Sequence, residues 1–151
     1  MPHEIPTASF DVRWTEIDIN WHMRNTAYSE FGTQMRLQYL AERGFPVDRF
    51  ANEGFGPVIF REETRYYKEF RLGDFATYDY RLAGVSPDGS HFELHHNVTN
   101  AKGELAAILR VEGAWLSIAS RKLCRPPDDL RELMEALPHT DDFRELKSVA
   151  K

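Results

Sequence analysis

The sequence predicts an α+β domain in which one antiparallel β-sheet curls around a single long helix. Three observations carry that prediction. Helical periodicity begins near residue 25, four extended runs punctuated by glycine turns follow it, and 151 residues with 42% hydrophobic and 28% charged side chains suit one core. A lone helix and one antiparallel sheet bury both apolar faces when the sheet wraps the helix.

Taken in order, Phe10 to Trp14 alternates and reads as a strand, and Glu16-Ile-Asp-Ile-Asn-Trp-His-Met23 continues with period 2. From Asn25 the period changes. Tyr28, Phe31, Met35 and Leu40 share one stripe of a helix over about 26 to 43, with Asn25 or Thr26 as N-cap and Gly44 as a left-handed stop. Gly32 inside it costs about 1 kcal/mol relative to Ala, so it is either a tolerated defect or a place where something packs closely. Four extended runs follow: about Val58 to Phe70, Phe75 to Ser86, Ser90 to Asn100 and Glu104 to Ile118. Their connections, Leu72-Gly73-Asp74, Pro87-Asp88-Gly89 and Asn100 to Gly103, favour antiparallel hairpins. After Pro126-Pro127, Asp128 to Leu137 reads as a short amphipathic helix, and the residues from His139 onward as a loosely held tail. Residues 1–130 thus form the domain, and 131–151 its C-terminal helix end and tail.

Nineteen basic against twenty-four acidic residues give a charge of −5, without the basic excess that a nucleic-acid partner demands. The single Cys124 makes no internal disulfide, and Met1 to Glu4 carries neither a basic nor an apolar leader, so a cytoplasmic location is expected. No apolar run approaches the roughly 20 residues that span a bilayer, and no membrane partner is expected.

In extended geometry Glu16, Asp18, Asn20 and His22 would share one side and Ile17, Ile19, Trp21 and Met23 the other. An acid, an amide and an imidazole just before a helix N-terminus suit attack on a carbonyl. Asp18 would activate water or attack, His22 or Asn20 would orient the partners, and helix N–H groups would hold the oxyanion. The competing reading is the wet face of a strand. A second alternation, His91, Glu93, His95 and Asn97, contains metal-binding side chains, but a solvated outer face is the preferred reading, and neither metal nor cofactor is expected. Gly54-Phe-Gly56 lacks the remainder of a phosphate or dinucleotide loop, and no Gly-x-Ser-x-Gly elbow is present.

Arg13-Trp-Thr-Glu-Ile-Asp-Ile-Asn-Trp-His-Met-Arg-Asn-Thr-Ala-Tyr28 resembles the signature of hotdog-fold thioesterases, of both the 4-hydroxybenzoyl-CoA thioesterase-like and the acyl-ACP thioesterase groups. Tyr67 to Asp74 and Trp115 to Pro126 extend the likeness over about 8 to 130. The resemblance implies a hotdog fold, a homodimer or homotetramer, and acyl thioester hydrolysis with Asp18 as the catalytic acid beside Asn20 and His22. It implies acyl-CoA first, since the chain has one hotdog domain where the plant acyl-ACP enzymes have two, with acyl-ACP as the alternative. A non-catalytic acyl-binding protein is the reading from another class. Trp21, Asn25 and Tyr28 are expected at the substrate, Arg121 and Lys122 at the CoA phosphates, and Glu62, Glu63 or Glu69 as an assisting acid. Three departures stand out: Glu16 where many relatives have Asp, Trp21 where the CoA group usually has Gly, and Arg24 where many have Asn.

Overall fold

The structure is a computed structural model that describes residues 4–151. Eight strands form one sheet: β1 (Thr7–Asp11), β2 (Phe55–Tyr66), β3 (Phe75–Asp79), β4 (Arg81–Val85), β5 (His91–Thr99), β6 (Leu105–Ser117), β7 (Leu123–Cys124) and β8 (His139–Glu145). Three helices accompany them: α1 (Asn25–Ala41), α2 (Val47–Glu53) and α3 (Asp128–Glu135). β3 and β4 flank Tyr80 and both pair with β5, which pairs with β6, which pairs with β2. β1 joins β3 antiparallel, while β8 joins β4 parallel, so the two share one edge of the sheet and β2 forms the other.

The helix lies against the sheet through Ala27, Tyr28, Gly32, Met35, Tyr39 and Leu40, all buried. It stops where expected: Gly44 takes φ +88°, and the Phe45 N–H donates to the Leu40 carbonyl at 2.8 Å. Its start differs from expectation. Arg24, not Asn25 or Thr26, is the N-cap residue, and it makes no side-chain cap. Gly32 proves to be a close approach, since a Cβ there would sit 3.2 Å from both Arg36 Nη1 and Leu109 Cδ2. Beyond Gly44, α2 brings Phe50 onto Trp115 in a stack at 5.9 Å, and Phe45, Phe55 and Phe92 close this aromatic end of the core.

Four expectations are corrected. The first strand ends at Asp11, and Trp14–Glu16 is a 3₁₀ turn. Leu72-Gly73-Asp74 is not a hairpin: β2 leaves to pair with β6, and Gly73 (φ +90°) instead turns the chain so that β3 pairs with β1. The tail is not loose, because β8 lies along β4 and buries Thr140 and Leu146. The face carrying His91, Glu93 and His95 is not solvated. Glu93 is only 2% exposed, beneath the guanidinium groups of Arg110 (3.1 Å), Arg144 (3.2 Å) and Arg61 (3.6 Å), and Arg110 is itself held by Asp142 of β8. The hairpins at Gly89 and Gly103 form as expected. No helix among the described residues is long and apolar enough to cross a membrane.

Candidate active site

The residues between β1 and α1 satisfy their backbone groups without a strand partner. Glu16, 3% exposed, does most of this. Its carboxylate accepts the Arg13 backbone N–H at 3.0 Å, the Arg13 side chain at 3.0 and 3.1 Å, and the Thr15 hydroxyl, while its carbonyl accepts the Arg24 N–H at 2.6 Å. The Arg13 hydrogen bond is the main cause that lowers the Glu16 carboxyl to about 2, against a burial cost that opposes it.

Asp18 organises the next turn. Its N–H donates to the His22 carbonyl at 2.8 Å, its carbonyl accepts the Trp21 N–H at 3.1 Å, and its Oδ1 accepts the N–H groups of Asn20 (2.9 Å) and His22 (3.1 Å). Oδ2 has no protein donor among the described residues. A carboxylate anchored by one oxygen and free at the other can accept a proton without moving. Ile17 and Met23 bridge the base of the turn, and the Met23 N–H donates to the Phe70 carbonyl at 2.8 Å, which brings the segment after β2 alongside.

A pocket of about 370 Å³ lies in that angle, lined by Asp18, His22, Met23, Asn25 and Tyr28 from one side and Tyr66, Tyr67, Lys68 and Glu69 from the other. His22 Nε2 stands 2.6 Å from a Glu69 carboxylate oxygen. At the mouth of α1 the Asn25 and Thr26 N–H groups have no acceptor among the described residues, and the first turn holds no acidic side chain that would compete for them. Tyr28, edge-on to Tyr66 at 5.0 Å, is pushed up to about 12, first by burial, and so keeps its hydroxyl proton.

The expected residues divide. Asp18, His22, Asn25 and Tyr28 meet in this pocket, and among the three glutamates weighed Glu69 joins them. Glu63 is engaged by Arg65 and Arg61, and Glu62 lies farther along β2, opposite Val111. Asn20 reaches Asp18 only through its backbone N–H. Trp21 does not line the pocket: it stands at the tip of the turn, 77% exposed, with φ +62°. At that φ a residue without a Cβ would be unstrained. Arg121 and Lys122 sit beyond the Ser117 end of β6, which pairs with Phe55, about 35 Å of strand from Tyr66 by the usual rise. Tyr66, Tyr67 and Lys68 were not singled out from the sequence. They enter because β2 and the segment after it fold against the turn, and the Tyr67–Asp74 likeness, which covers two of them, carried no site role.

A family model for the thioesterase-like superfamily matches residues 12–134. No curated protein sequence matches. Among solved structures, a hypothetical protein from Staphylococcus aureus in complex with CoA is 20% identical with a TM-score of 0.80, covering 93% of this chain and 90% of that one. A DHNA-CoA thioesterase from Staphylococcus aureus is 18% identical with a TM-score of 0.77, covering 87% of each chain. A 1,4-dihydroxy-2-naphthoyl-CoA thioesterase from Synechocystis is 12% identical with a TM-score of 0.79, covering 91% of this chain and 100% of that one. The shared architecture is the hotdog fold.

Two measurements check the turn. Trp21→Gly relieves a left-handed non-glycine residue and is expected to stabilise the protein by about 1 kcal/mol, raising Tm by about 2–4 °C; an unchanged or lower Tm contradicts the strain. Glu16, lowered in the fold from 4.5 to about 2, contributes stability that is present above pH 4.5 and lost as pH falls toward 2. Glu16→Gln is therefore expected to be less stable by about 1–3 kcal/mol at neutral pH, with the difference closing through that window in denaturant titrations. A gap that stays constant with pH speaks against the assigned role.

Proposed function

The chain belongs to the thioesterase-like superfamily, and from that premise and the site's geometry we propose that it hydrolyses acyl-CoA thioesters with Asp18 as general base. The observation that carries the reading is the Asp18 carboxylate, pinned by two backbone N–H groups on Oδ1 and open on Oδ2, beside unoccupied N–H donors of α1. The thioester carbonyl lies over the helix mouth. Asp18 Oδ2 takes a proton from water as its oxygen adds to the carbonyl carbon, and the Asn25 and Thr26 N–H groups receive the developing oxyanion. Collapse of the adduct expels the CoA thiolate. His22, braced by Glu69, sits on the same wall to orient the water or return a proton to sulfur. Tyr28, protonated throughout, is a donor and never a base. The CoA carrier is favoured over an acyl carrier protein by the CoA-bound Staphylococcus aureus relative and the two CoA thioesterases of the same fold.

The second part of the proposal is a homodimer through β2. Among the described residues β2 pairs only with β6, so its outer edge is open, and Ile59, Phe60, Tyr66 and Tyr67 on and beside it are each more than two-fifths exposed. An isologous antiparallel pairing of two β2 strands would carry the partner's Phe55 end toward this chain's Tyr66 end. The partner subunit's Arg121 and Lys122 would then approach the mouth of this chain's pocket, which its own pair cannot reach.

Asp18→Asn, nearly isosteric, is expected to lower kcat/KM by at least about 100-fold in a free-thiol assay across acyl-CoA substrates, with the fold intact by circular dichroism. A folded variant with near wild-type turnover overturns the mechanism. Light scattering at micromolar concentration is expected to return twice the chain mass or a multiple of it, and a strict monomer rejects the β2 interface.

A further inference from the structure

A second cavity, of about 260 Å³, opens beside α1 farther toward its C-terminus. Its walls are almost entirely apolar: Leu37, Leu40, Phe50, Ile59, Phe92 and Trp115 are among them. One charged group enters it. Arg36 lines the cavity at the end nearer the helix N-terminus, together with Thr33.

The state of that guanidinium sets the chemistry. His96, fully buried, donates from Nδ1 to the Asp79 carbonyl at 2.7 Å, so its Nε2 carries a lone pair and accepts from Arg36 Nη1 at 3.0 Å. Burial, and then the neighbouring guanidinium, push His96 down to about 3, so it stays neutral and contributes no charge. Arg36 Nη2 donates to the Thr33 hydroxyl at 3.1 Å. Both partners of Arg36 are therefore neutral. Among the described residues no carboxylate lies within 4 Å of it; Glu62 on the facing strand is close enough to favour its charge but forms no ion pair with it. Gly32 makes this placement possible, since Nη1 occupies the space next to its absent Cβ. A fixed fork of N–H donors without a counter-ion, set at the rim of an apolar cavity, is complementary to a planar carboxylate with an apolar body.

We propose that this cavity binds a free medium-chain carboxylic acid, with the carboxylate on Arg36 and Thr33 and the hydrocarbon body among Leu37, Leu40, Phe50 and Trp115. The site is separate from the Asp18 pocket, with which it shares no lining residue. Under the thioesterase reading this ligand has the chemistry of the released product, and that link alone rests on that reading; the binding itself needs no turnover.

The three indoles of the chain make the test specific. Trp115 lines the cavity and its Nε1–H donates to the Gly89 carbonyl at 3.1 Å, whereas Trp14 stands exposed on the 3₁₀ turn and Trp21 on the turn that carries Asp18. Titration of the full-length protein with octanoate, followed by the indole N–H resonances, is expected to shift Trp115 saturably. Octan-1-ol, which has the same body and no charge, is expected to bind at least about tenfold more weakly, as is octanoate to Arg36→Gln, with Arg36→Lys intermediate. Equal binding of acid and alcohol overturns the proposal. So does an Arg36→Gln protein that binds as tightly as wild type, no saturable shift at all, or a shift confined to the exposed Trp14 and Trp21, which places the acid outside this cavity. If Arg36→Gln fails to fold, the acid-against-alcohol comparison on the wild-type protein decides alone. Hydrolysis measured in parallel separates this outcome from that of the proposed activity.

Discussion

The buried carboxylate of Glu16 is the interaction on which the candidate site depends. The chain must travel from the edge strand β1 to the start of α1 without pairing in the sheet, and each backbone N–H along the way needs an acceptor. Glu16 satisfies the segment before it through Arg13 and fixes the segment after it through the Arg24 N–H. With those two points held, the intervening residues have only enough length for the tight turn in which Asp18 accepts two N–H groups. The length of the Glu16 side chain lets its carboxylate reach the Arg13 backbone and side chain together. The cost of burial, which alone would raise the carboxyl, is outweighed by those donors.

From that turn the helix starts uncapped, and this is the second link between fold and chemistry. An N-cap side chain would have occupied a first-turn N–H. Arg24 instead directs its guanidinium, which can only donate, to Glu30 and to the Thr26 hydroxyl, so the first-turn N–H groups remain available to a carbonyl. The absence of an acidic residue in the first turn keeps the positive end of the helix unopposed. Asp18 lines the same pocket as Asn25, and its anchored oxygen is already committed to the turn.

Much of this was legible in the sequence where pattern and geometry coincide. Tyr28, Met35, Leu40 and Gly44 marked the helix and its end because burial and the left-handed stop act locally. Glycines at 89 and 103 marked hairpins for the same reason. At Gly73 the turn was right and the pairing was not, since a left-handed glycine reverses the chain without choosing the strand it will meet. The period-2 run from Glu16 to Met23 misled because the carboxylates of Glu16 and Asp18 are drawn to backbone N–H groups of their own segment, an arrangement that spaces polar residues as a strand does. β8 escaped notice because His139-Thr-Asp-Asp-Phe-Arg-Glu145 has almost no apolar pattern. Its anchor is ionic, through Asp142 to Arg110 and Arg144 to Glu93, and becomes visible only once β5 and β6 have brought those partners to one face.

The two cavities along α1 show how one helix serves two kinds of recognition. At its N-terminus the positive end is made of backbone N–H groups that cannot be moved or screened by a side chain, which suits a charge that exists only in a transition state. Two turns in from Tyr28, the positive group is a side chain, Arg36, whose only tethers are a neutral imidazole and a hydroxyl. Burial lowers its affinity for protons, yet a guanidinium remains charged, so the cavity carries a cation with no direct ion pair and an unfavourable desolvation. A structural role alone would be met equally well by an apolar side chain filling the space beside Gly32, with none of that cost. The combination of a glycine inside the helix, a histidine held in one tautomer and an arginine without an ion-paired carboxylate therefore points outward, to an anion that arrives from solution.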